Sequence, residues 1–565
     1  MTDALLASCD ATKPCISRIR RAFGTSSVAC GVLHHGAVIF RHAEGFADVE
    51  ARQLADADTV YPISSCTKAF VSATCAILAD QGLLLWDAPV SSYLSEFRTV
   101  HNEDVGQQAT LVDLCSHATG LAPIDLAAVG FHDKLYNEGT SQVRISAHLP
   151  MVCGFRSGFV YNNYMYGVVG ELIRRVCGKS TGAVMKEKIF GPLGLGRTGT
   201  SSAEYPLDGN VARGYSVLDD GSLLRLEEPD LQDGSAHAGA GCVRSTVNDM
   251  LTWAKAVMVA ESRQSRAEEG ILSQQEHLPG MAFTRTAQRP LTPDTRETKG
   301  EDSYGLGWFR HTIPSKLLGF TSPNFSLLPE PPVIGIDSRP RLTICHNGAQ
   351  GGFLTAFYTF PETGSAIVVL ANSSPSHGDP TDLIAQTLCQ ELFDMKPRVD
   401  LDAFALQSAE TSRLLWPALV RDWVLSRREG AVLPTPEDYL GEYTNTGLEL
   451  HIHVVLPRQP LRKSRRVGWR TQNAELLAFS VNGQPVQKLR HYQGDTWSFL
   501  PDSRDDAARK GMERFTSLSS VLLVFIRDAS GSISSMEWNL YAGDADERPA
   551  PDAVPVRPVR FGKIV

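Results

Sequence analysis

Two pairs of apolar runs, more than 300 residues apart, constrain this chain more than any other feature. Residues 28–40 form two such runs broken at His34-His35-Gly36, and far downstream Phe353–Phe360 and residues 365–372 flank Pro361-Glu-Thr-Gly364. Each pair reads as a hairpin of buried strands, because Gly and Pro at the break favour tight reversal. Between the pairs the periodicity is helical. Phe70, Ala73, Ile77 and Leu78 recur at helical spacing after Ser65 and stop at Gly82, and a second helix runs from about 164 to 176 and ends at Gly178. Strands at both ends with helices between them predict a mixed α/β (α+β) fold. Its antiparallel sheet is flanked by helices, and its N- and C-terminal strands pair around an inserted helical region.

This first domain is expected to span residues 12–395. Segments 260–303 and 313–340 lack periodicity and are rich in Pro, Ser and Arg, so they read as long surface excursions, lids over a cleft. A helical pattern returns at 399–428, inside a linker placed at 396–435 that ends on Leu433-Pro-Thr-Pro436. Beyond it, over 436–565, short strand-like runs alternate with turn signals such as Asn482-Gly483 and Ser530-Gly531, the pattern of a small all-β barrel or sandwich. The basic cluster Arg458, Arg462, Lys463, Arg465, Arg466 and Arg470 reads as a solvated loop.

Composition excludes several classes of function. With 565 residues, 42% of them apolar, and a formal charge of -9, the chain is neither disordered nor built to coat itself with phosphate, so nucleic-acid binding is not expected. Purely apolar runs are short: 521–526 reads as a buried strand and is far below the roughly 20 residues that cross a bilayer. The N-terminus lacks a basic region and a long apolar stretch, which predicts a cytoplasmic protein without membrane partners. Eleven cysteines, with no Cys-x-x-Cys pair, read as reduced thiols. No metal-ligand pair occurs at helical spacing, and no metal or other cofactor is expected.

The strongest chemical signal is Ser65-Cys66-Thr67-Lys68 at the start of a helix. Residues three apart share a helix face, so Lys68 reaches the Ser65 hydroxyl. Burial lowers an amine's pKa and makes it a base for an otherwise poor nucleophile. Cys66 is a rival nucleophile, but its position turns it away from Lys68. Tyr161-Asn162-Asn163 lies just before the second helix, and His346-Asn347-Gly348 heads the downstream strand pair. Two decoys are set aside. Gly178-Lys-Ser-Thr-Gly182 fits a nucleophile elbow and Gly194-Leu-Gly-Arg-Thr-Gly199 a dinucleotide loop, but neither follows a strand as those motifs require.

In this order, S-x-x-K, Y-x-N and H-x-G resemble the motifs of the serine β-lactamase and penicillin-binding-protein superfamily, especially its class C-like esterase and D-aminopeptidase branch. Tyr61-Pro-Ile-Ser-Ser-Cys-Thr-Lys-Ala-Phe70, His117-Ala-Thr-Gly-Leu121 and Tyr304-Gly-Leu-Gly-Trp308 look like recurrent stretches of that family. The segment from Tyr439-Leu-Gly-Glu-Tyr-Thr-Asn445 is similar to a lipocalin-like barrel appended to many such hydrolases. The resemblance implies Ser65 as nucleophile, Lys68 as its base partner and Tyr161 as a second proton shuttle, with the choice of base left open between the last two. It implies that Asn163 orients Lys68 or the substrate's amide and that His346 stands where the family carries a lysine. Backbone N–H groups of Ser65 and Ala349 would form the oxyanion hole, and Gly348 would let the substrate lie against the strand edge. A histidine, mostly neutral at pH 7, is a weaker grip on a substrate carboxylate than lysine, which favours an esterase, amidase or peptidase over a β-lactamase. The expected substrate is an ester, amide or thioester of a small metabolite or peptide, free or carrier-bound. Two alternatives stay open: an acyltransferase or cyclising thioesterase that passes the acyl group to an amine or alcohol, and a binding protein that has lost turnover. The oligomeric state is not legible.

Overall fold

The computed structural model describes residues 2–268, 278–291, 302–428, 433–457, 475–541 and 557–564. The first hairpin is β1 (Ser27–His34) and β2 (Ala37–Asp48), which reverse through His35 and Gly36, both at positive φ. Seven further strands complete one sheet: β3 (Gln53–Leu54), β4 (Arg289–Pro290), β5 (Asp302–Tyr304), β6 (Phe309–Ile313), β7 (Arg341–Gln350), β8 (Phe353–Phe360) and β9 (Ser365–Ala371). Their order is β3-β2-β1-β9-β8-β7-β6-β5-β4. The two ends of the sequence meet at its centre, where Val28 opposes Ala371 and Leu33 opposes Ala366 in antiparallel register. The expected pairing of N- and C-terminal strands is therefore present.

Both faces of the central strands are covered, which is why they read as continuous apolar runs and not as alternation. On one face Val28, Cys30, Val32, Ile367 and Val369 pack with α1 (Thr2–Asp10), α2 (Lys13–Ala22), α6 (Pro380–Leu392) and α7 (Leu401–Leu425). On the other, Ala29, Leu33, Val368 and Leu370 pack with α3 (Thr67–Asp80), α4 (Asn163–Cys177) and α5 (Val247–Glu268). Helix α3 is buried from Thr67 to Leu78, and Phe70 stacks on Trp253 of α5 at 4.3 Å between ring centroids.

The two supposed surface excursions are built into the body. Residues 260–268 continue α5, Met281, Thr284 and Arg285 are buried, and residues 289–290 and 302–304 add strands to the sheet; 269–277 and 292–301 lie outside the described residues. In the second segment Leu317, Leu318, Ser322 and Asn324 are buried. Ser322 Oγ donates to Asp379 Oδ2 at 2.8 Å, and Asn324 Nδ2 donates to the Asp379 carbonyl at 2.6 Å. Polar residues that look like loop filler thus satisfy the N-terminus of α6, a pairing 55 to 57 residues apart that no local pattern reveals.

After α7 the chain forms a closed antiparallel barrel of eight strands, β10 (Gly441–Asn445), β11 (Leu450–Val455), β12 (Glu475–Val481), β13 (Gln487–Gln493), β14 (Thr496–Ser498), β15 (Leu522–Arg527), β16 (Ile533–Trp538) and β17 (Val559–Ile564). Tyr443, Phe479, Trp497, Phe525 and Trp538 are fully or nearly fully buried in its core. The basic cluster at 458–470 lies outside the described residues. Phe131 of the first domain is buried against the barrel, stacked on Phe515 at 5.3 Å and edge-on to Phe479 and Phe499 at 6.2 Å. Among the described residues no helix is long and apolar enough to cross a membrane.

Phe131→Ala should cost about 3–5 kcal/mol, the usual penalty for emptying an aromatic site that cannot collapse. A urea titration followed by tryptophan fluorescence checks it through a lowered midpoint, Trp538 lying in the same core.

Candidate active site

The nucleophile candidate sits where a short 3-10 turn, Ser64–Cys66, passes into α3. Ser64 is held at φ 49°, a strained value for a residue with a side chain, and Ser65 is half-buried on the wall of a cavity of about 430 Å³. One turn on, Lys68 is fully buried. Its Nζ lies 2.9 Å from Ser65 Oγ, 2.9 Å from Asn163 Oδ1 and 3.2 Å from the Ala240 carbonyl. Burial drives the Lys68 pKa from 10.5 down to about 7, against the opposing pull of the Asp125 carboxylate. A large share of Lys68 is then free amine at neutral pH. Two N–H bonds serve the Asn163 and Ala240 oxygens, and the lone pair is left to accept the Ser65 proton.

Tyr161 shares this cavity, its ring 4.7 Å from Lys68 Nζ. It is set by the turn into α4. Asn162 caps that helix by accepting from Tyr164 N–H, its backbone N–H donates to His117 Nδ1 at 3.0 Å, and the His117 ring lies 4.5 Å from the Tyr161 ring. Asn163 follows as the first residue of α4 and holds both Lys68 and, through Nδ2, Asp125 Oδ2 at 2.7 Å. Ser65, Lys68, Tyr161 and Asn163 are therefore brought together.

His346 is not on the cavity wall with them. It is fully buried on β7, where Nδ1–H donates to the Asn347 carbonyl at 2.5 Å and Nε2 accepts from the Tyr304 hydroxyl at 3.2 Å. Burial, and then the nearby Lys68, push its pKa down to about 3, so the ring is neutral. It supports Phe309, Tyr304 and Tyr161, whose rings lie 5.0 to 6.1 Å away.

Ala349 does line the cavity and is exposed. Strand β6 pairs with β7 only as far as Cys345, so the stretch from Asn347 onward presents an edge towards the cavity, while its other edge pairs with β8. Gly348 plays a different part from the one expected. A Cβ there would stand 2.3 Å from the Ile63 carbonyl, so the missing side chain admits the turn that carries Ser65, and the space belongs to the protein and not to a substrate. Gly307, in Tyr304-Gly-Leu-Gly-Trp308, does the same for α3: at φ +80° its Cβ position lies 2.6 Å from the Lys68 carbonyl.

Cys66 turns inward, its thiol 3.4 Å from the His346 carbonyl, and burial pushes its pKa up; it is no nucleophile. Ser180 caps the helix Thr181–Met185. Sequence reasoning missed three contributors to the cavity: Asp125, His237 and Arg514 of the barrel, which is ion-paired to Asp133; the 320–326 stretch, with Phe320 and Phe325, lies in the segment read as a lid over a cleft and does line the cavity. Only Asp125 lay near a recognised stretch, four residues beyond Leu121. Among the described residues no three His, Cys, Asp or Glu side chains converge to hold a metal ion.

Known proteins resemble this chain in sequence and in fold. The chain is 26% identical over 345 residues to an unguisins hydrolase of Aspergillus campestris, covering 60% of this chain and 57% of that protein. It is 30% identical over 211 residues to esterase EstB of Burkholderia gladioli, covering 36% and 53%. A D-aminopeptidase of Cereibacter sphaeroides is 28% identical over 395 residues, covering 68% and 64%. The chain thus spans somewhat over half the length of these relatives. The octameric penicillin-binding protein homologue from Pyrococcus abyssi shares the fold over 98% of this chain and 99% of its own, with a TM-score of 0.54 and 17% identity. The beta-lactamase family model matches residues 15–390, which include the sheet and the whole Ser65–Lys68–Tyr161–Asn163 cluster, and the chain belongs to that family.

Proposed function

We propose that this protein is a serine hydrolase that cleaves esters or amides of small acyl compounds or peptides through a covalent Ser65 acyl-enzyme. The observation that carries the reading is the contact between Ser65 Oγ and a fully buried Lys68 whose pKa lies near 7. Ser65 Oγ attacks the substrate carbonyl as its proton passes to Lys68 Nζ. The N–H groups of Ser65 and Ala349 receive the developing oxyanion. Collapse of the tetrahedral intermediate breaks the bond to the leaving group, which takes a proton from Lys68 or Tyr161. Water then attacks the ester carbonyl by the same route, releasing the acid and restoring Ser65. Relatives named hydrolase, esterase and D-aminopeptidase favour water over an amine or alcohol as the acceptor. His346, neutral and walled off, acts here as a positioning residue for Tyr304 and Tyr161.

Incubation with a fluorophosphonate should add one adduct, mapped to Ser65 by mass spectrometry, and Ser65→Ala should abolish both adduct and turnover while keeping the circular dichroism of the parent. Turnover in the alanine variant would overturn the mechanism. The Lys68 pKa sets the pH profile. Below about 7 Lys68 is protonated and has no lone pair for Ser65, so kcat/KM should rise with pH through that value, approaching tenfold per unit on the acid side. A flat profile between pH 5 and 8 would remove Lys68 as the base. Gly348→Ala should cost about 1–3 kcal/mol by overpacking and lower acylation as the Ser64–Cys66 turn is displaced, read as a lower Tm and a slower fluorophosphonate rate.

A further inference from the structure

One corner of the cavity holds polar atoms that the mechanism above does not use. Asp125 Oδ2 accepts from Asn163, but Oδ1 is buried with no hydrogen-bond partner. Facing it is His237, 4% exposed, with both ring nitrogens buried and unpartnered. Its Nε2 stands 3.8 Å from Asp125 Oδ1, too far for a hydrogen bond, and both residues line the cavity that holds Ser65. The histidine is firmly placed: its backbone N–H donates to Gln142 Oε1 at 2.8 Å, its ring lies against Tyr164 at 4.5 Å, and it is held at φ 58°. Buried polar atoms without partners are a small minority in native proteins, and each calls for an explanation, a bound group or a catalytic role among them.

The chemistry of the corner selects the occupant. Among the described residues no Lys or Arg nitrogen lies within 4 Å of Asp125, and Lys68, which acts on its carboxylate from farther off, carries no charge when it is the free amine that serves Ser65. Burial keeps the His237 imidazole neutral, its pKa pushed down to about 4. The pair therefore offers one carboxylate oxygen and one bare imidazole nitrogen, both acceptors, with a negative charge between them to be matched. A hydroxyl donates one hydrogen and brings no charge. An ammonium donates to both and supplies the charge.

We propose that Asp125 and His237 form a subsite for an amino group carried on the acyl part of the substrate. One N–H of the ammonium points to Asp125 Oδ1 and a second to the unprotonated nitrogen of His237. This names a substrate class for the hydrolase reading and rests on it. An amino group on the acyl part stays anchored through both acylation and the water step, which keeps the carbonyl positioned throughout. The same wall continues as the apolar side chains of Val129, Leu135, Leu231 and Phe325, room for a non-polar portion beside the amine.

The test uses the full chain and p-nitrophenyl esters of glycine, β-alanine and 4-aminobutyrate, each beside its N-acetylated, amine-free and hydroxyl counterparts. The wild type should prefer the free amine in at least one chain length by about tenfold or more in kcat/KM, the range expected of a charge-assisted hydrogen bond. Asp125→Asn should bring that ratio close to one. His237→Asn, a residue that tolerates positive φ, should reduce it several-fold, and Leu207→Ser, on the surface outside the cavity, should preserve it. Circular dichroism and fluorophosphonate labelling of Ser65 verify that each variant is folded and competent. Equal rates for amine and amine-free esters at every length, a preference for the hydroxyl esters, or an unchanged ratio in Asp125→Asn would each overturn the subsite while Ser65 labelling leaves the hydrolase standing. Loss of labelling in the wild type would overturn both.

Discussion

The structure turns on an amine held where an ammonium is poorly tolerated. Lys68 is buried in a helix whose neighbours are buried from Thr67 to Leu78, with three oxygens or hydroxyls around its Nζ and the rings of Tyr161 and Tyr166 at 4.7 and 5.4 Å. Its pKa falls from 10.5 to about 7, a displacement worth on the order of 5 kcal/mol between the two protonation states. The sign is unfavourable to stability. The unfolded chain binds this proton up to about 10.5 and the folded one only to about 7, so folding gains with rising pH across that window and the full cost applies below it. A surface lysine would carry no such cost and would also be no base at neutral pH. The two central cores, which bury both faces of the central strands and α3 from Thr67 to Leu78, are what make the arrangement sustainable.

Close backbone approach is the second requirement. The Ser64–Cys66 turn can stand beside β7 only because Gly348 has no side chain, and α3 can stand beside the Tyr304–Trp308 turn only because Gly307 has none. Those two contacts set Ser65 against the strand edge that carries Ala349. Behind the edge, Asn347 Nδ2 donates to Asp382 Oδ1 at 3.0 Å and Tyr358 donates to the same oxygen at 2.6 Å, tying β7 and β8 to α6. Burial holds the Asp382 carboxyl above its ordinary range, and burial together with Asp382 raises Asp379 to about 6, which makes this a network whose parts depend on one another. The barrel adds to the cavity from outside, Arg514 reaching its wall beside Asp133 while Phe131 is enclosed by barrel aromatics.

Much of this was legible in the amino acids, and the reasons are local. Each hairpin announced itself by an apolar run, a Gly or Pro break and a second apolar run, and hairpin strands are neighbours in sequence. Ser65 and Lys68 are three residues apart where the Ser64–Cys66 turn passes into α3, so their meeting needs nothing distant. Tyr161 and Asn163 were identified by family resemblance and by their place at a helix start. His346 shows the limit. Its neutrality followed from the side chain itself, but its position behind the cavity depends on how Tyr304, Phe309 and Tyr161 pack over it. Segment 313–340 misled for a related reason: its Ser and Asn residues look like solvent-facing polarity until α6 arrives to bond them.

Sequence alone thus determined the interactions whose partners lie within a turn or a hairpin: the strand pairs, the Ser65–Lys68 helix face, and the order of the motifs. Tertiary structure decided everything whose value depends on burial or on a distant partner. It decided how far the Lys68 pKa falls, which glycines make room for backbone, that Asp125 and His237 face each other across 3.8 Å, and that an arginine 449 residues after Ser65 borders the same cavity. Local geometry is written in the spacing of residues, whereas dielectric surroundings and convergence exist only once the chain has closed on itself.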